Sequence, residues 1–215
     1  RFLREARAAT SIDHPGIIRI FDFGRLDDGT LYYGMDALQG RDLEQVSAAH
    51  GPLSPQQVLE LLEQICPALQ AAHDQGVVHR DLKPSNIFVQ DPPRGVKLLD
   101  FGIAKLLERS ALESLETDRS IGTPEFMAPE QAAGETSAVG PHTDLYALGV
   151  VIYRLLTRRF PIVADTTPGL LYKQVTAAPV SIRAVDATIP VSVARAVHRC
   201  LEKQPGRRFA AASTL

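Results

Sequence analysis

One stretch of this chain concentrates side chains that could do chemistry. It reads His79-Arg80-Asp81-Leu82-Lys83-Pro84-Ser85-Asn86, then Ile87-Phe88-Val89, a turn over Gln90 to Gly95, and Val96-Lys97-Leu98-Leu99-Asp100-Phe101-Gly102. Two short apolar runs flank the turn and predict a strand pair. The loop ahead of the first strand holds an acid, a base and an amide. Behind the second strand stands another acid, followed by Phe-Gly. A carboxylate can accept a proton, a lysine can neutralise negative charge, and amide and carboxylate oxygens suit a hard cation. Phosphoryl transfer uses parts of these kinds, because it depends on positioning and charge neutralisation more than on covalent catalysis.

The two motifs resemble the catalytic loop and metal-binding loop of protein kinases, H-R-D-x-K-x-x-N followed by D-F-G. The chain is thereby identified as similar to the eukaryotic-type serine/threonine protein kinases, and its compact wording resembles the bacterial members. The resemblance implies that Asp81 is the base facing the substrate hydroxyl. It implies that Asn86 and Asp100 hold Mg²⁺, and that ATP is the phosphoryl donor. Lys83, two residues after Asp81, should lie on the same side of an extended loop, where it could neutralise charge on the transferred group. Lysine at that position is the wording of Ser/Thr rather than Tyr kinases. The bland alternative, a polar turn between two strands, would need every fixed position of both motifs to match by coincidence.

The rest of the chain must position this stretch. At 215 residues and 45% hydrophobic it can build a sizeable core. Lys plus Arg number 23 against 25 Asp plus Glu, a net charge of −2, which gives no sign of a nucleic-acid binder. Cys66 and Cys200 fall in helix-like segments and read as buried residues in a reducing compartment, not as a disulfide. The six histidines show no metal-ligand spacing. The longest apolar run, Leu145 to Tyr153, stops at Arg154 and is far too short to span a membrane.

Taken in order, Arg1 to Ser11 is helix-like, and the resemblance makes Glu5 the acid that pairs with a lysine on an upstream strand and so helps hold ATP. Ile17 to Gly24 and Leu31 to Asp36 read as two strands joined by the turn Asp27-Asp28-Gly29. In the family Met35 would control access behind the adenine pocket. Asp36-Ala37-Leu38 would be the hinge that bonds adenine, and Asp42 would meet the ribose. The competing reading of that stretch is a strand end and a helix cap. Ser54 and Pro55 open a long helix carrying Val58, Leu61, Leu62, Ile65, Leu69 and Ala72 at helical spacing, closed by Gly76.

Lys105 to Ser120 is polar and matches an activation segment, with Thr117 its leading candidate for phosphorylation. The segment ends at Gly122-Thr123-Pro124-Glu125-Phe126-Met127-Ala128-Pro129-Glu130. Thr123 matches the threonine that contacts the catalytic Asp and Lys. Thr143 to Thr157 is apolar nearly all round and should be buried, with Asp144 as the acid that tethers the catalytic loop. Pro168 to Val175 and Ser192 to Glu202 read as helices, and Arg208 should pair with Glu130.

The expected class is α+β, a protein-kinase-like fold with a mainly helical large lobe and a truncated small-lobe sheet. Residues 1–35 would be a partial small lobe, 36–42 the hinge, and 43–215 the large lobe. No Gly-x-Gly-x-x-Gly occurs, so the resemblance implies a fragment lacking the first small-lobe strands and inactive alone. The implied function is transfer of the ATP γ-phosphate to Ser/Thr hydroxyls of partner proteins in signalling. The expected setting is cytoplasmic, with a membrane anchor in the parent protein left open. A kinase-fold binding module without catalysis is the alternative, and the intact Asp81, Lys83, Asn86, Asp100 and Gly102 argue against it.

Overall fold

The structure is a computed structural model that describes residues 12–92, 95–101 and 123–215. The helix expected over Arg1 to Ser11 with Glu5, the Gly102 position, and the loop with Thr117 lie outside the described residues.

Two antiparallel strands come first, β1 (Ile20–Arg25) and β2 (Leu31–Met35). Their turn forms where expected. Asp28 Oδ1 accepts the Thr30 N–H at 2.8 Å, and Gly29 takes φ 87°, a conformation that glycine reaches without a Cβ penalty. The segment before β1 docks on the neighbouring sheet. Ile18 N–H donates to Leu98 O at 2.9 Å, and Leu98 N–H donates to Gly16 O at 2.7 Å.

That second sheet has three strands in the order β3 (Gly40–Asp42), β4 (Ile87–Gln90), β5 (Val96–Leu98), all antiparallel. The strand pair around the turn is present. The short strand β3 was not expected, because the stretch from Asp36 to Asp42 reads as a hinge. Its last residues pair with the open edge of β4 as they lead into the next helix.

Helix α1 (Leu43–His50) is capped by Asp42, whose Oδ1 accepts from Gln45 N–H at 2.8 Å. Helix α2 (Pro55–Asp74) opens with a reciprocal capping box between Ser54 and Gln57. Of its periodic apolar positions, Val58, Ile65, Leu69 and Ala72 are buried, while Leu61 and Leu62 pack at the margin of the core. Gly76, at φ 73°, turns the chain away from the helix and toward His79.

The remaining α-helices among the described residues are α3 (Pro129–Ala132), α4 (Pro141–Thr157), α5 (Thr167–Thr176), α6 (Ile182–Val185) and α7 (Val191–Cys200). Helix α4 is the axis of the core, as its all-round hydrophobicity predicts. It packs against α2, α6 and α7, and Leu145, Leu148, Val150, Val151, Ile152, Leu155 and Leu156 are all buried. Each such side chain stabilises by roughly 1.5–3 kcal/mol. Cys66 and Cys200 are buried free thiols, as expected. Among the described residues no helix is long and apolar enough to cross a membrane.

Candidate active site

The loop from His79 to Asn86 is held from beneath by α4. Asp144, 1% exposed, accepts the backbone N–H of His79 through Oδ2 and that of Arg80 through Oδ1, both at 2.8 Å. His73 at the end of α2 adds a third donor, Nε2 to Oδ2 at 2.8 Å. A carboxylate receiving several hydrogen bonds can be buried without an unanswered charge. Arg80 sits at φ 67°, in the left-handed region. Its carbonyl accepts from Gln131 Nε2 at 2.8 Å, so both of its peptide groups are pinned. The sequence reading of Asp144 as the tether agrees with this geometry, whereas Gln131 was missed.

His79 is fully buried and ties the two motifs together. Its Nε2 donates to Leu99 O at 2.7 Å, and its Nδ1 accepts the Asp81 N–H at 3.4 Å. Those partners require the neutral ring protonated on Nε2. Burial pushes the imidazole pKa down, against the opposing pull of Asp144, the Leu99 carbonyl, Asp81 and Asp100. The ring also rests on Phe101, with centroids 4.8 Å apart.

Above this base the chemical side chains gather. Lys83 Nζ lies 3.1 Å from Asp81 Oδ2 and donates to Thr123 Oγ1 at 3.3 Å. The structure thus brings Asp81, Lys83 and Thr123 into one cluster, although Thr123 is 40 residues away from Lys83 in sequence. Asn86, buried, donates from Nδ2 to Asp81 O at 2.9 Å. A carbonyl can only accept, so this bond fixes the amide with Nδ2 on Asp81 O and leaves Oδ1 as an acceptor. Asn86 O in turn accepts the Leu99 N–H at 2.9 Å, next to Asp100.

Asp100 stands at φ 53°, and its Oδ1 accepts the hydroxyl of Tyr33 at 3.3 Å. Burial first, then the Asp100 charge and bond, raise the Tyr33 pKa, so the phenol stays a donor. Tyr33 was missed by sequence reasoning. Its signal was its place on β2 two residues before Met35, on the same strand face. Among the described residues no three His, Cys, Asp or Glu side chains converge as a metal cage. Asn86 and Asp100 together offer oxygen ligands of the kind Mg²⁺ takes when substrate phosphates and waters supply the others.

The residues expected as a hinge, 36–42, run from the end of β2 to the start of α1 and include β3. Met35 is 43% exposed, while Asp36 and Leu38 are half-buried. Asp36 N–H donates to Arg19 O at 3.1 Å. Asp42 spends one carboxylate oxygen on the α1 cap.

Below the cluster, Glu130 and Arg208 form a buried two-pronged pair, with Nη1–Oε1 and Nη2–Oε2 both at 2.8 Å. This is the pairing that the sequence implied. Arg208 also donates to the carbonyls of His142, Glu202 and Lys203, and Thr143 donates to Glu130. Burial alone would raise the Glu130 pKa. The bonds and charge of Arg208 outweigh it and hold the carboxyl below the usual range.

Residues 1–215 match the family model described as protein kinase domain. The chain is 41% identical over 219 residues to the serine/threonine-protein kinase pkn3 of Myxococcus xanthus, covering 99% of this chain and 40% of that protein. It is 35% identical over 215 residues to the serine/threonine-protein kinase PrkC of Bacillus subtilis, covering 100% of this chain and 32% of that one. The chain therefore spans two fifths or less of the length of these curated relatives. Among solved structures, the PknI kinase domain of Mycobacterium tuberculosis superposes with a TM-score of 0.78 at 26% identity, covering 100% of this chain and 75% of that one. A crystal structure of Rad53 1–466 in complex with AMP-PNP gives 0.79 at 29% identity, covering 99% and 52%.

Proposed function

The chain belongs to the protein kinase domain family, and from that premise we propose that the protein transfers the γ-phosphoryl group of ATP to serine and threonine hydroxyls of proteins. The observation that carries this reading is the convergence of Asp81, Lys83 and Thr123.

In the proposed reaction the substrate hydroxyl oxygen bonds to the γ-phosphorus and its proton passes to Asp81. The bond from the γ-phosphorus to the β–γ bridging oxygen breaks, and ADP leaves with that electron pair. Lys83 neutralises charge on the group in transit, and Thr123 holds the Lys83 ammonium in place. Asn86 and Asp100 are the residues that would hold Mg²⁺, which neutralises the phosphates when bound. Their donor chemistry fits, since the Asn86 amide is already oriented by Asp81 O. Met35, Asp36 and Leu38 would line the adenine site, and Asp42 would offer its second oxygen to the ribose. The two free, buried cysteines suit a cytoplasmic setting.

The test is Asp81→Asn in the full-length protein. A positioned base contributes about 10²–10⁴-fold, so radiolabel transfer to protein should fall by at least that factor while ATP affinity holds. Near-normal turnover would remove Asp81 from the role.

A further inference from the structure

Helix α5 hydrogen-bonds the segment after Thr123 through the side chain of Gln174. Gln174 is 1% exposed. Its Nε2 donates to two successive carbonyls, Pro124 O at 3.2 Å and Glu125 O at 3.1 Å. Those residues directly follow Thr123, the partner of Lys83. Through Thr123 and Lys83 this backbone is linked to Asp81, the group that faces the acceptor hydroxyl in the proposed reaction.

The amide is not free to turn. Tyr146 on α4 donates its hydroxyl to Gln174 Oε1 at 2.8 Å. Lys203 Nζ donates to the Tyr146 oxygen at 3.3 Å and to Gln174 O at 2.7 Å. Each bond has one possible direction. An ammonium only donates and a backbone carbonyl only accepts, so the tyrosine hydroxyl must point at Oε1 and the amide NH₂ at the loop. Chained donors of this kind polarise one another. Burial raises the Tyr146 pKa, which keeps its proton in place.

We propose that Gln174 is a positioning residue for the protein substrate: the relay from Lys203 through Tyr146 to Gln174 sets the height of the Pro124–Glu125 backbone, and with it the register of the substrate segment flanking the acceptor hydroxyl. The proposal rests on the kinase reading above. It adds that substrate alignment is governed from α5 and α4, at residues that touch neither ATP nor the reacting atoms.

The experiment measures steady-state kinetics of the full-length protein on a serine peptide, varying peptide and ATP separately. Gln174→Met keeps the length of the side chain and removes its donors and acceptor. It should lower kcat/KM for peptide about tenfold, the worth of one to two ordinary hydrogen bonds, and leave KM for ATP unchanged. Tyr146→Phe removes only the orienting hydroxyl and should move the same parameter in the same direction by less. The double variant should be no worse than Gln174→Met, because the tyrosine acts through the glutamine.

An unchanged kcat/KM for peptide in Gln174→Met overturns the proposal. So does a parallel loss for ATP and peptide, which would mark a general structural defect. Should Gln174→Met fail to fold, Tyr146→Phe decides alone by the same split. No peptide phosphorylation by the unaltered protein would instead refute the kinase reading itself.

Discussion

Asp144→Asn tests how the catalytic loop is held. The substitution preserves shape and removes one acceptor. If the amide oxygen takes the place of Oδ2, the Arg80 N–H faces an NH₂ group and loses its partner. If the amide is flipped, the His79 N–H is orphaned instead, together with the His73 Nε2 donor that shares Oδ2. One buried backbone donor is stranded either way, at about 1–3 kcal/mol. Asp144→Ala strands all three donors, and removing one member of a buried charged network costs roughly 3–5 kcal/mol. Part of that is returned at Arg80. Its left-handed φ of 67° carries a penalty of about 1–2 kcal/mol, which relaxes once the tether is gone.

Arg80→Gly exposes that return. In the unaltered protein glycine removes the penalty, while in Asp144→Ala there is little left to remove. The effect of Arg80→Gly should therefore differ by about 1 kcal/mol between the two backgrounds, as a coupling between contacting residues allows. Native-state hydrogen exchange of the His79 and Arg80 amides, alongside urea unfolding of the full-length protein, measures both quantities. Protection of the stranded amide should fall by about 5- to 150-fold in Asp144→Asn. The reasoning fails if Asp144→Asn lies within about 0.5 kcal/mol of the parent, a span ordinary for surface changes, and Arg80→Gly has the same effect in both backgrounds.

Two further outcomes follow from the same geometry. Because the Glu130 carboxyl titrates below its ordinary value of 4.5, its contribution is fully present above that pH and is lost as pH falls through the folded-state value. Acid titration of stability should show this loss in the parent and a flatter curve in a Glu130→Gln, Arg208→Met double variant, while Arg208→Met alone should cost roughly 3–5 kcal/mol by leaving a buried carboxylate unpaired. Gly40→Ala should destabilise β3 by more than about 2 kcal/mol, since φ is 140° and a Cβ would stand 2.1 Å from Val89 O. Gly51→Ala, at φ 75° with open space around it, should cost only about 1 kcal/mol, and equal thermal shifts for the two would contradict the clash.

The parts of the site legible from residue types alone are those in which chemistry and spacing are local, whereas the long-range Glu130–Arg208 pair, the Asp144 tether and the Thr123 contact were legible only through the family resemblance. Asp81, Lys83 and Asn86 share one loop, and the Ser54 cap stands one residue ahead of the helix it opens. The all-round apolar run of α4 could mean little other than burial. What stayed hidden is long-range and polar. The Tyr33–Asp100 bond spans 67 residues and the Gln174–Pro124 bond spans 50. A buried polar partner leaves no periodic trace, because its position answers to geometry in three dimensions and not to the repeat of a helix or strand. Strand β3 is too short for an alternation to show. Asp42 allowed two roles at once, and the structure uses one of its oxygens as a helix cap.

The placement of the polar residues on α4 carries an argument of its own. Three of them fall in its first two turns: Thr143 donates to Glu130, which also holds Arg208, Asp144 accepts from His79 and Arg80, and Tyr146 directs Gln174 to Pro124 and Glu125. Three separate loops are thereby registered to one rod. The first turn is also where a carboxylate is favoured by the helix dipole, so Asp144 receives help there that it would lack further along. The rest of the helix is mostly apolar and buried, apart from Arg154, which pairs with Glu44 on α1, and Thr157 at its end, and this fixes the rod against α2, α6 and α7. Loss of one polar contact should release one loop and leave the others in register. A cavity cut into the aliphatic half should instead let the rod shift and displace all three together, because close-packed cores transmit strain. The division of labour along α4 is thus physical: its apolar length supplies rigidity, and its polar start distributes that rigidity to the segments that carry Asp81, Lys83 and Thr123.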